Sequence, residues 1–331
     1  MAATASYLSL LSSYAYGELL EKVTIQKRTP THPYLYLDVP GVIDDFYMNV
    51  IHWSDNSLLS VALTDMLYVW NSESGEASQV YKCSNDSELI TYVSSVHFID
   101  TTKLSFGDAF GVLRVIDLQT NKIILEKQAH NDRINTLTHS DNLFVTGSRD
   151  STLIFHDFRQ SNSAFKLACH KNEVCGVDIN ESGYLLASGA NDNFVFITDV
   201  RVCQPYFSFT HDAAVKALKF NGRLLATGGG ATDHSIKITD TLDRKITKEI
   251  KTNSQITGVQ WMNDKLIVTQ GNPSNNVILF EKEGWNMVEE CDGHEKRILG
   301  VDLNKQGVTA TIGADESIRL WKFAGDVQLS M

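Results

Sequence analysis

The chain has no stretch approaching the roughly 20 consecutive apolar residues of a membrane-spanning helix, although 43% of its 331 residues are hydrophobic. No membrane partner is expected. Its start lacks the positive leading segment of a secretory signal, since Met1 to Leu20 passes through Ser12, Ser13 and Glu18. A cytosolic or nuclear location is therefore expected. Basic residues are in deficit, 29 against 40 acidic ones, for a net charge of -11, and without a cationic face a nucleic-acid partner is not expected. The acidity suits a partner with basic side chains and equally serves solubility. The cysteines Cys83, Cys169, Cys175, Cys203 and Cys291 are scattered and lack metal-ligand spacing, so they read as small buried hydrophobes. No metal or cofactor is expected. Helical spacing is also missing after residue 40, which leaves strands.

A length above the roughly 100 to 200 residues of one ordinary core makes internal repeats the first thing to seek. A histidine followed by a polar stretch and an apolar run occurs at His130, His170, His211 and His294, with Asn253 where a fifth would fall. These positions lie 40 to 42 residues apart. Small-residue turns follow at Thr146 to Asp150, Ala187 to Asp192, Ala226 to Gly230 and Ile312 to Asp315. After them come alternating strands at Leu153–Asp157, Phe194–Asp199, Ile236–Asp240, Val277–Phe280 and Ile318–Trp321, with earlier copies at Leu67–Asn71 and Leu113–Asp117. Taken as the terminal strand of each unit, these count seven units. Seven four-stranded units predict an all-β, seven-bladed propeller. The histidines and turn aspartates are expected to hydrogen-bond within their blades, because buried polar groups must be paired. Spread one per blade, they do not converge as a catalytic site would, so no enzyme is expected.

The last unit ends near Phe323 and needs an outermost strand, because an open edge is a liability. Tyr34–Asp38 alternates and precedes the first repeat. Pairing there would close the ring and bring Asp38 toward the turn of Asp315 and Glu316. The expected organisation is an extension over 1–33, a propeller over 34–324 and a short tail over 325–331.

Leu37-Asp38-Val39-Pro40-Gly41, Asp44 to Asn49 and Trp53-Ser54 closely resemble the opening of the WD-repeat propeller in the Fizzy and Fizzy-related proteins, activators of the anaphase-promoting complex. The likeness recurs at Gly147 to Asp150, Glu173 to Gly176, Gly189 to Asn193, Ala214 to Ala217, Gly228 to Gly230, Asn253 to Gln255 and Asp315 to Arg319. It covers about residues 34 to 323.

The resemblance implies a non-enzymatic substrate receptor and co-activator of that ubiquitin ligase, acting in mitosis and cell division. The implied partners are the anaphase-promoting complex, degron-bearing substrates such as cyclins and securin, and spindle-checkpoint proteins, in nucleus and cytoplasm. It also implies two sites. For the destruction box, Asp38 and Glu316 would hold the motif's arginine beside Leu37. For the Lys-Glu-Asn motif, Asp45, Phe46, Asn191, Asn193, Gln255 and Arg297 would pair with its polar groups. Asn191 and Asn193 are also natural turn formers. A family threonine after the glycine run is replaced by Ala231, with Thr232 as a candidate substitute. The family's N-terminal Asp-Arg-Tyr/Phe-Ile-Pro-x-Arg segment and C-terminal Ile-Arg do not occur in this sequence. The first 33 residues offer Tyr14 to Leu20 and the basic Lys27-Arg28-Thr29-Pro30. A generic WD-repeat scaffold, or a decoy that binds degrons without activating the ligase, is the alternative.

Overall fold

A computed structural model describes residues 32–83, 91–140, 143–157 and 163–323. The segment Tyr14 to Leu20, Lys27 to Pro30 and the tail over 325–331 lie outside the described residues. Within these limits the chain forms seven four-stranded antiparallel sheets. Blades 1 to 7 have as inner strands Ile51–Trp53, Val93–Phe98, Ile134–Ser140, Val174–Ile179, Val215–Asn221, Ile256–Met262 and Ile298–Leu303. The strand read as terminal in each repeat is the third of four. Blade 4, for instance, runs Val174–Ile179, Leu185–Ala190, Phe194–Asp199, Gln204–Thr210.

Leu35–Asp38 is the outermost strand of blade 7 and pairs antiparallel with Ser317–Lys322, Leu37 opposite Ile318 and Asp38 opposite Ser317. Tyr34 extends the pairing, its amide donating to the Leu320 carbonyl at 2.9 Å. The chain thus closes its own ring. Second strands such as Leu185–Ala190 and Leu224–Gly229 are buried along nearly their whole length, with both faces packed inside the ring. Outer strands such as Lys245–Lys251 are largely exposed.

The histidines pair as expected. His294 Nδ1 lies 2.9 Å from Asp315 and its Nε2 2.8 Å from Thr311 Oγ1, which also accepts from Trp321 Nε1 at 3.0 Å. His130 joins Asp150 and Thr146, and His170 joins Asp192 and Ser188. His211 joins Asp233 and Thr227. Two details differ from the sequence reading. Asp233 lies beyond the glycine turn at Ala226 to Gly230, and the histidine's place in blade 6 is held by Thr252. Its amide donates to the His234 carbonyl as the His211 amide does to Asn193. Asn253, the residue indicated by the spacing, is the next one along. Cys83, Cys175 and Cys291 are buried, whereas Cys169 and Cys203 are only partly so. Burial raises all five thiols, Cys83 and Cys169 to about 11 and Cys291 to about 12, which keeps them protonated and unreactive.

Six of the seven inner strands carry a bulge near their start, at Ser94, Asn135, Cys175, Lys216, Thr257 and Leu299. A bulge re-aims the extra side chain. In blades 2 to 4 that side chain reaches the next blade's backbone. Ser94 Oγ donates to the Ile134 carbonyl at 2.7 Å, Asn135 Nδ2 to Val174 at 2.9 Å and Cys175 Sγ to Val215 at 3.3 Å. Bulges therefore join blade to blade around the channel.

Candidate functional site

Asp38 and Glu316 meet at the ring's closing seam. The Val39 amide donates to the Glu316 carbonyl at 2.9 Å, one residue beyond the Asp38–Ser317 pair. Both side chains are exposed, and neither has a hydrogen-bond or ion-pair partner among the described residues. Leu37 is half-buried and packs against the largest apolar cluster, so only part of its surface faces outward. Glu316 has a φ of 61°. The same turn position is held by Gly111, Ser151, Asn193, His234 and Asn275, all at positive φ, a conformation that costs an ordinary L-residue about 1–2 kcal/mol. Glutamate is a poor choice there on local grounds.

The second set lies where inner strands begin. Asp45, Phe46, Gln255 and Arg297 line a cavity of about 370 Å³ together with Asp44, Tyr47 and Ala231. Asn191 and Asn193 are not in this lining. They shape the neighbouring blade-4 turn, where the Asn191 amide donates to the Glu173 carbonyl and Asn193 takes the left-handed position. Arg297 is already engaged, its Nε 2.5 Å from Asp44 Oδ1 and its Nη2 2.8 Å from the Asp44 carbonyl. Asp45 is engaged too. Its Oδ1 accepts from the Tyr47 amide at 2.8 Å and its Oδ2 from Arg133 Nη1 at 2.5 Å. Thr232 is not in the cavity lining, and its hydroxyl donates to the Asp212 carbonyl at 3.0 Å.

Two residues without an assigned role in the sequence reading, Arg133 and Lys216, hold this loop in place. Buried Arg133 donates to Asp45, to Glu173 at 2.6 Å and to Asn135 Oδ1 at 2.7 Å. Glu173 also accepts from Asn135 at 2.9 Å, which completes a buried, paired network. Lys216, the blade-5 bulge residue, departs from the pattern of its neighbours. Its Nζ crosses the channel to donate to the Met48 carbonyl at 2.7 Å and to the Leu299 carbonyl, and it sits 5.7 Å from the centre of the Phe46 ring. Burial lowers it to about 8, so it stays charged at neutral pH. A lysine inside the apolar run Val215-Lys216-Ala217-Leu218 was the available signal.

These features define a WD-repeat propeller that presents loop and turn side chains at one end of its strands. A CDC20/Fizzy WD40 domain model matches residues 37–321. Meiotic fizzy-related protein 1 of Schizosaccharomyces pombe is 30% identical over 95% of this chain and 76% of its own. The APC/C activator protein CDC20 of Saccharomyces cerevisiae is 33% identical, over 94% of this chain and 53% of its own. Protein FIZZY-RELATED 1 of Arabidopsis thaliana is 32% identical, over 87% and 62%. A chain in the crystal structure of the mitotic checkpoint complex superposes with a TM-score of 0.87 at 31% identity, covering 95% of this chain and 98% of that one. The chain belongs to the CDC20/Fizzy WD40 family, and it spans between half and three quarters of the length of these relatives.

Proposed function

We propose that this protein is a non-enzymatic substrate receptor and co-activator of the anaphase-promoting complex, recognising destruction-box and Lys-Glu-Asn degrons in cell-cycle proteins. Cyclins, securin and spindle-checkpoint proteins are its proposed partners, and nucleus and cytoplasm its proposed location. One observation carries the reading: strand pairing brings Asp38 and Glu316, two exposed carboxylates without partners among the described residues, to the same seam. One of them is held in a strained turn. Between them they offer an arginine two charge-assisted acceptors. Membership of a family whose members include named APC/C activators supports the ligase as the destination.

The test is a titration of a fluorescent destruction-box peptide against wild type and Glu316→Lys. Losing a charged contact of this kind costs about 2 kcal/mol or more, or roughly a thirtyfold weaker Kd. Equal affinities would reject the seam as the site. Reconstitution with the purified ligase of the same species then separates activator from decoy, because a decoy binds the peptide without stimulating ubiquitylation.

A further inference from the structure

A cavity of about 480 Å³, away from these sites, opens between blades 4 and 5. It lies at the opposite ends of the strands. Val174–Ile179 starts beside Glu173 and runs into the loop of Asn180 to Tyr184 that lines it. Its apolar walls are Tyr184, Leu185, Tyr206 and Leu242. Leu242 is 67% exposed, and Val202, next to the lining residue Arg201, is 61% exposed. No other large apolar side chain among the described residues is as open to water.

The charge at this place is arranged unevenly. Arg223 pairs with Asp240 at 2.8 Å, but the arginine is 62% exposed while the aspartate is 2% exposed. Arg201 pairs with Asp199 at 2.6 Å with the same inequality, and its guanidinium lies 4.9 Å from the Tyr184 ring centre. Arg244 lies 3.7 Å from the centre of the Tyr206 ring and has no carboxylate partner among the described residues. An incoming molecule therefore meets guanidinium faces over hidden carboxylates, on a chain whose net charge is -11. Glu181 is the one exposed acid in the lining.

We propose that this cavity between blades 4 and 5 is a docking site for a short acidic peptide segment that inserts one large apolar side chain between Tyr184, Tyr206 and Leu242. Arginine stacked on tyrosine around an apolar centre is the composition of interface hot spots. The cavity has room for a large side chain, and flanking acidic residues supply further contact through Arg201, Arg223 and Arg244. The site is independent of the seam and the channel loop.

The experiment is selection of displayed random peptides on the full-length protein, with counter-selection on Leu242→Asp. Enriched peptides are then measured by fluorescence anisotropy on wild type, Leu242→Asp, the double variant Arg223→Glu/Arg244→Glu, and Glu316→Lys. The expected enrichment is Asp or Glu flanking one Leu, Ile, Phe or Trp. Affinity falls at least roughly tenfold, about 1.4 kcal/mol, in Leu242→Asp and in the arginine variant, stays unchanged in Glu316→Lys, and weakens with added salt. All substituted residues are exposed, and cooperative thermal unfolding confirms that each variant folds. Enrichment of basic or uncharged peptides, peptides indifferent to both cavity variants, or no Leu242-dependent enrichment overturns the proposal.

Discussion

The Val39 amide donates to the Glu316 carbonyl at 2.9 Å, so two residues from opposite ends of the ring share one turn. That bond fixes the backbone from which both Asp38 and Glu316 project. Glutamate there takes, at a φ of 61°, the left-handed conformation that this turn position has in five other blades.

Replacing Glu316 by glycine should therefore stabilise the propeller while weakening it as a receptor. Glycine adopts positive φ without penalty, so urea unfolding should show a gain of about 1 kcal/mol. Destruction-box peptide affinity should fall roughly thirtyfold, from the loss of about 2 kcal/mol. A variant that binds as well as wild type would make Glu316 an ordinary surface acid.

Lys216→Met should separate the two candidate sites. Methionine fills the space but leaves the carbonyls of Met48 and Leu299 without their donor, at about 1–3 kcal/mol for each orphaned group. The loop carrying Asp45 and Phe46 loses its tie across the channel. A Lys-Glu-Asn peptide should weaken by about tenfold, while a destruction-box peptide, bound at the seam, should keep its affinity. Parallel titrations decide this.

Arg133→Ala should be the most damaging of these changes. It leaves the carboxylates of Glu173 and Asp45 without their cation in a largely buried network. Breaking one side of a buried ion pair costs about 3–5 kcal/mol. Chemical denaturation should show a loss of that size, and a loss under about 1 kcal/mol would mean that water replaces the guanidinium.

Stability should decline on acidification below pH 6.5. Burial lowers His211 and His294 below that ordinary value despite the opposing pull of Asp233 and Asp315. It also lowers His52 to about 4 and His156 to about 3. The unfolded chain then binds more protons than the folded one, so the stabilisation present above pH 6.5 is lost as pH falls through the folded values. Asp150, Asp233 and Asp315 add a second loss below 3.8: burial alone would raise them, but the histidine hydrogen bonds prevail and hold them low. Scanning calorimetry from pH 7.5 downward should show a falling Tm, and a Tm constant to pH 4.5 contradicts the assignment.

Much of this was legible in the sequence because a propeller is periodic. Each blade repeats one pattern, so seven copies of an alternating strand and four histidines reveal blade number and strand type. The missing outer strand of the last blade even points to Leu35–Asp38. Where the pattern was broken the reading slipped. Thr252 in place of histidine shifted the register by one, and the partner of His211 lies past a glycine run.

The sequence by itself determined the ring, its closing strand and the pairing of histidines with turn aspartates, since these follow from local alternation and from the need to satisfy buried polar groups. Only the tertiary structure decided which polar residues are spent on holding the ring and which are left exposed. Asp45, Arg297 and Thr232 are occupied by Arg133, Asp44 and the Asp212 carbonyl, whereas Asp38 and Glu316 face solvent. Such contacts join residues distant in the chain, Asp45 to Arg133 and Lys216 to Met48. The bulges that aim Asn135 and Lys216 depend on strand pairing rather than on residue type, and no local pattern records where they point.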